Sequence, residues 1–249
     1  MTCTDMTVMI PVRIDSQDRI SNINLSIEYI SKNCDAKIMV FESSSERALY
    51  LDNTNVNYKY IKDDKENFHR TAILNMMIEE ADTDVVINYD ADVLLFSKAY
   101  ATCYNAIYKG MCEVLYPYDG RFMALNKEYH YMVKELGYAV EKMPLDKITN
   151  VVHSSSVGGA FMALKSTYVK YGGENEKFMS WGYEDNERMH RFTTLSGEIM
   201  RANTPLIHLE HWRGPNSSFD NKFIEDSKEE ARKVQAMDKD GLLKYIETW

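Results

Sequence analysis

Between Thr7 and Tyr89 short apolar runs alternate with stretches whose apolar residues recur at helical spacing. That rhythm restricts the chain to strands joined by crossover helices in a largely parallel sheet. Residues 7–12 read as the first strand, a helix marked by Ile20, Ile23, Ile27 and Ile30 follows, and strands are predicted at 37–41 and 58–61. A second helical stripe over residues 68–81, carried by Ile73, Leu74, Met77, Ile78 and Ala81, leads into a buried strand at 84–89. The acidic turn Asp90-Ala91-Asp92 closes that strand, at the carboxyl end where open α/β sheets bind their ligands.

The second half is less regular. Gly158-Gly159 precedes the apolar run 160–164, Gly172-Gly173 marks a turn, and residues 184–195 have a helical pattern behind an aromatic loop. After Pro215 a polar loop gives way to charged helical patterns ending at Trp249. No repeat, low-complexity tract or linker divides the chain, and 249 residues of 45% hydrophobic composition suffice for one α/β domain with a substantial core.

An excess of 38 acidic over 29 basic residues, a formal charge of -9, opposes attraction to phosphate-rich polymers and argues against a nucleic-acid partner. The cysteines Cys3, Cys34, Cys103 and Cys112 are scattered without a CxxC pair, which signals neither a zinc knuckle nor a disulfide framework and fits a reduced, cytoplasmic setting. The opening residues lack the basic flank and long apolar run of a signal peptide, and no later stretch has the composition of a transmembrane span. Peripheral attachment to the inner face of a membrane stays compatible with an acceptor lipid, although no basic amphipathic helix argues for it.

Two carboxylates flanking a small residue can offer oxygen ligands to a hard divalent cation that also takes diphosphate oxygens, although a D-x-D turn alone is common in solvated loops. His208-Leu209-Glu210-His211 follows another strand-like segment, and imidazole beside carboxylate suits manganese better than magnesium, which remains the alternative. Trp181-Gly182-Tyr183-Glu184-Asp185-Asn186-Glu187 combines aromatic faces that stack on a sugar with carboxylates that accept hydroxyl hydrogen bonds or act as a general base. The same acids also suit an ordinary helix N-terminus.

Taken in order, these segments form a set running from about Ile10 to His211. They are Ile10-Pro11-Val12-Arg13, Phe68-His69-Arg70-Thr71-Ala72-Ile73-Leu74-Asn75, Asp90-Ala91-Asp92, Gly158-Gly159, the Trp181 segment and His208 to His211. The set resembles the β-1,4-galactosyltransferase family, and the combination is far more specific than any member of it.

The resemblance implies a GT-A (Rossmann-like) α/β fold: a single domain with a mixed, mainly parallel central sheet and helices on both faces. Residues 1–95 would form the nucleotide-sugar-binding half, 96–215 the half that binds acceptor and completes the metal site, and 216–249 a C-terminal helical tail. It implies an inverting transferase moving galactose or N-acetylgalactosamine from a UDP-sugar to a carbohydrate or glycolipid acceptor. Asp92 and His211 would ligate manganese, with His208 standing where the family commonly has methionine. Pro11, Arg13, Glu42, Arg70, Asp90 and Ala91 would join Asp92 in holding the donor, Glu42 being equally readable as a solvated loop acid. Asp185 would be the general base, and Trp181, Gly182, Glu184 and Gly159 would meet the acceptor.

The family's Trp-Gly-Gly-Glu-Asp pattern becomes Trp-Gly-Tyr-Glu-Asp here, so acceptor identity does not transfer with it. Without the anchor and stem of animal members, the chain reads as a bacterial or viral enzyme of surface-polysaccharide synthesis. Two other classes compete with this expectation. A sugar-phosphate nucleotidyltransferase would need a glycine-rich basic loop that residues 11–19 do not supply, and a non-enzymatic carbohydrate-binding protein would use the same aromatic and acidic groups without turnover.

Overall fold

The computed structural model describes residues 3–51, 55–218 and 220–249. The chain begins β1 (Met6–Val12), α1 (Gln17–Asn33), β2 (Lys37–Ser44), β3 (Val56–Lys62), α2 (Arg70–Glu80), β4 (Val85–Tyr89), β5 (Val93–Leu95) and α3 (Ser97–Tyr108). It continues β6 (Val114–Tyr116), β7 (Phe122–Leu125), α4 (Met132–Glu135), α5 (Leu145–Ile148), β8 (Thr149–His153), β9 (Ala160–Leu164) and α6 (Lys165–Lys170). The last elements are α7 (Glu184–Ser196), β10 (Met200–Arg201), β11 (Leu206–Leu209), α8 (Ile224–Gln235) and α9 (Lys239–Ile246).

A seven-stranded sheet has the order β10-β6-β9-β4-β1-β2-β3. β1 runs parallel to both β2 and β4, β2 parallel to β3 and β10 parallel to β6, whereas β9 is antiparallel to β4 and β6. The sheet is therefore mixed and mainly parallel, as the sequence predicts. Every residue of β1 and β4 is buried, the signature of strands covered on both faces. A four-stranded sheet, β5-β11-β7-β8, was not legible in the sequence, because its strands are short and β8 carries its valines, Val151 and Val152, exposed.

Two neighbouring strands of the large sheet, β4 and β1, part at their carboxyl ends, beside the cleft. β4 stays paired with β1 only as far as Met9↔Asn88, while β1 continues beside β2 to Val12↔Glu42. Pro11, which has no N–H to donate, lies past the last β4 partner, where the ladder no longer needs one. The chain leaving β4 turns through Asp90, Ala91 and Asp92 and enters β5 in the second sheet. Crevices of this kind, at the carboxyl ends of diverging strands, are the ligand sites of open α/β sheets. Among the described residues, no helix is long and apolar enough to cross a membrane.

Candidate active site

Strand pairing brings the acidic turn to the histidines. β5 is antiparallel to β11 with His208 opposite Val93, and the Leu209 N–H donates to the Asp92 carbonyl at 2.8 Å. His211 follows just beyond β11. Asp92, His208 and His211 consequently place one ligand atom each within 4.8 Å of one another. On the other side of the turn, the Asp90 N–H donates to the Gly159 carbonyl at 2.9 Å, tying the turn to the start of β9.

The chemistry of this cluster fits a divalent cation. Burial works against charge on Asp92, but the Arg19 guanidinium, His208 and His211 hold its carboxyl well below the usual carboxylate range. Burial pushes His208 down to about 4 against the pull of Asp92, so its imidazole is neutral at pH 7, the form that binds metals. The His211 Nδ1 contacts the Trp212 carbonyl at 2.5 Å, so Nδ1 carries a hydrogen, and Nε2 is the nitrogen turned towards Asp92, hydrogen-bonded to its Oδ2 at 3.0 Å where no cation lies between them. A carbonyl behind the ligating ring is the usual way such a tautomer is fixed. His208 lacks that support, its buried Nδ1 having no hydrogen-bond partner among the described residues.

A cleft of about 410 Å³ opens over this cluster. Pro11, Arg13, Arg70, Asp90 and Ala91 line it together with Asp92. Arg13 spends its fork on the protein, donating to the Ser43 carbonyl at 2.9 Å, the Lys65 carbonyl at 2.7 Å and Asp63 Oδ2 at 2.8 Å. It shapes the cleft wall by binding residues 63–66 to β2. Arg70 Nη2 donates to Asn88 Oδ1 at 2.9 Å and Asp90 Oδ1 at 2.6 Å, while its buried Nη1 has no hydrogen-bond partner among the described residues. Asp90 thus supports Arg70.

The structure does not bring Glu42 to the cleft, nor does it leave Glu42 as a solvated loop acid. Glu42 is fully buried and accepts from the Ala48 and Leu49 N–H groups at 2.9 and 3.1 Å and from the Tyr58 hydroxyl at 2.6 Å. A buried carboxylate needs such donors, and here they fold the loop after β2.

Across the cleft, Trp181, Gly182, Glu184 and Asp185 line the wall at the start of α7. The N-cap of α7 is Tyr183 at φ +68°, in the left-handed region that glycine enters freely and a tyrosine enters at a cost of about 1–2 kcal/mol. The departure from the family's glycine therefore falls on a strained residue whose ring lines the cleft. Asp185 is gripped by Arg188, a fully buried arginine whose Nη1 bonds both Glu174 oxygens at 2.9 Å.

Gly158 leaves no room beside that carboxylate, since a β-carbon on it would meet Asp185 Oδ2 at 2.6 Å. Gly158→Ala should displace a side chain that Arg188 prevents from retreating. If the cleft works as the family resemblance implies, turnover should fall by about 10–100-fold with the affinity for UDP and metal unchanged, a separation that kcat and direct UDP binding would read. Gly159, at φ +84° and packed against Leu206 and Phe122, is required by its backbone conformation, and it reaches the cleft through that backbone.

Glu184 accepts from the Gly182 N–H at 2.8 Å. Burial, with the Asp185 carboxylate second, pushes its pKa up to about 7, Arg70 opposing. Because the fold holds this proton more tightly than the unfolded chain does, the stability Glu184 contributes is complete below 4.5 and is lost as pH rises through about 7. Glu184→Gln keeps the acceptor oxygen without the charge. Its unfolding free energy should exceed that of the natural chain by on the order of 2 kcal/mol at pH 8, with the gain shrinking towards pH 5. Equal denaturant midpoints at pH 8 would contradict the assignment.

Sequence reasoning overlooked Arg19 and Arg188. Both had a readable signal: Arg19 occupies the first turn behind the Ser16 cap, where the macrodipole favours acids, and Arg188 stands at i+3 from Asp185.

Residues 144–213 match the family model described as the N-terminal domain of galactosyltransferase, a span containing the Trp181 segment and both histidines. Over 95% of this chain and 82% of the other, the structure resembles the catalytic domain of Drosophila β1,4-galactosyltransferase 7 in complex with xylobiose, at 16% identity and a TM-score of 0.51. A mutant of that Drosophila enzyme, in complex with manganese, UDP-Gal and xylobiose, matches at 17% identity over the same shares, with a TM-score of 0.57. Curated protein sequences yield no match. The fold is α/β with mixed sheets and matches the GT-A galactosyltransferase catalytic domain.

Proposed function

We propose that this galactosyltransferase-like chain is an inverting, manganese-dependent glycosyltransferase that moves galactose or N-acetylgalactosamine from UDP to a hydroxyl of a carbohydrate or glycolipid. One observation carries the reading: a single cleft holds the Asp92, His208 and His211 cluster opposite Asp185. The complex of the Drosophila enzyme with manganese, UDP-Gal and xylobiose supports the donor and acceptor classes. The setting we assign is cytoplasmic, at the inner face of a membrane when the acceptor is a lipid, and the product a surface polysaccharide.

Asp92, His208 and His211 would hold the manganese, which when bound offsets charge on the departing diphosphate. Arg70 offers its unpartnered Nη1 to a phosphate oxygen, and the end of β1 at Pro11 forms the floor beneath the nucleotide. Trp181 gives the acceptor sugar an apolar wall, and Glu184 hydrogen-bonds one of its hydroxyls.

Arg188 occupies Asp185 Oδ1, leaving Oδ2 for the acceptor. That oxygen takes the proton of the attacking hydroxyl while the hydroxyl oxygen bonds to the anomeric carbon. The bond from that carbon to the diphosphate oxygen breaks, UDP leaves with the electron pair, and the configuration inverts. A screen of UDP-sugars against an acceptor panel, with linkage analysis of the product by NMR, tests this reading. A product of inverted anomeric configuration is expected, and a retained one would refute the single displacement.

A further inference from the structure

Helix α1 lies along the four-stranded sheet with a stripe of polar side chains at helical spacing. Tyr29 donates to the Leu95 carbonyl at 2.6 Å, Ser26 to the Val93 carbonyl at 3.5 Å and Asn22 to the Leu209 carbonyl at 3.1 Å. Arg19 is the next member of the stripe towards the N-terminus, and it reaches past the strands to Asp92 Oδ2. The nitrogen that touches Asp92, Nη1, stands 3.5 Å from His211 Nε2. A guanidinium thus enters the space enclosed by the carboxylate and imidazole that the reading above gives to the metal.

Two further observations say that this arginine has a second place to go. Its Nε is buried without a hydrogen-bond partner among the described residues, and Asp15 Oδ1 stands 3.8 Å away, close enough to hold part of the charge if the contact to Asp92 is given up. An arginine in the first turn of a helix also runs against the macrodipole, so helix formation does not explain it. A cation at Asp92 and Arg19 on the same oxygen repel each other, whereas a diphosphate beside the cation would bind the planar fork with both sets of N–H groups.

We propose that Arg19 is a resident counter-charge of the metal site: it competes with the divalent cation for Asp92 and transfers to diphosphate oxygens when cation and nucleotide bind together. The inference rests on the reading of the cleft as a UDP-sugar site. Its consequence is linked loading, in which manganese alone binds weakly and UDP strengthens its hold, the coupling being reciprocal.

The test is calorimetric titration of the full chain with manganese alone, and then with UDP at saturating manganese. Arg19→Gln should bind manganese alone roughly 5-fold or more tightly than the natural chain, and UDP at saturating manganese roughly 5-fold or more weakly. Arg19→Lys, which keeps the charge and loses the fork, should move both affinities in the same opposed directions by smaller factors and guards against misfolding of the first variant. Unchanged or weaker manganese binding by Arg19→Gln, or unchanged UDP binding, would overturn the proposal while leaving the cleft reading intact. A natural chain that binds neither manganese nor UDP would overturn both.

Discussion

Asp92→Asn is expected to lower manganese affinity by at least about 100-fold, beyond what loss of a supporting residue costs, and turnover by on the order of 10³-fold. The effect is large because Asp92 is the carboxylate in the cluster with His208 and His211, and one of its oxygens faces His211 Nε2 at 3.0 Å. The amide retains the shape and removes the charge. It also removes the closer of the two carboxylates beside Arg19, leaving Asp15 at 3.8 Å, so the variant should lose stability without metal at neutral pH, by on the order of 2 kcal/mol. A carboxyl held below its ordinary range contributes stability above the unfolded value of 3.8, and that contribution disappears as pH falls through the lower folded value. The stability difference between the two proteins should therefore vanish in acid. Manganese titration monitored by electron paramagnetic resonance and denaturant unfolding at two pH values would read both effects.

Asp185→Asn should reduce kcat by about 10²–10⁴-fold, the range a general base contributes, while UDP and manganese bind as before. The fold should survive, because Arg188 keeps its paired bonds to Glu174 after losing Asp185. Side-chain deletions elsewhere on α7 differ in kind: Arg191 bonds Glu187 at 2.8 and 3.1 Å and the Gly173 carbonyl at 3.0 Å, and removing it would leave a buried carboxylate unpaired. Acceptor-dependent turnover near the natural rate in Asp185→Asn would transfer the base role away from this residue.

The parallel core was legible because β1, β2 and β4 are continuous apolar runs bounded by turns, and periodicity reports such runs directly. The second sheet was not, since β5 and β7 have three and four residues, too few to show a period, and they are strands only through pairing, β5 with β11 and β7 with β11 and β8. The site followed the same division. Asp90, Asp92, Asp185 and the histidines stood out as an ordered set, but the register that sets His208 beside Val93 belongs to tertiary pairing. Glu42 illustrates the opposite limit: an acid after a strand reads as a ligand contact or as solvated, and only the folded loop reveals the backbone donors that occupy it. Arg19 and Arg188 lie on helices whose charges sequence patterns assign to a solvated face, and both turn inward to carboxylates.

The central claim is that this cleft transfers a sugar from UDP with a metal at Asp92, His208 and His211 and proton removal by Asp185. Release of UDP from UDP-galactose and UDP-N-acetylgalactosamine, measured with and without manganese across a panel of carbohydrate acceptors, tests it most directly. The account predicts release that requires manganese, rises with acceptor and is lost in both Asp92→Asn and Asp185→Asn. Sugar binding without UDP release across the whole panel, or release indifferent to both substitutions, would contradict it.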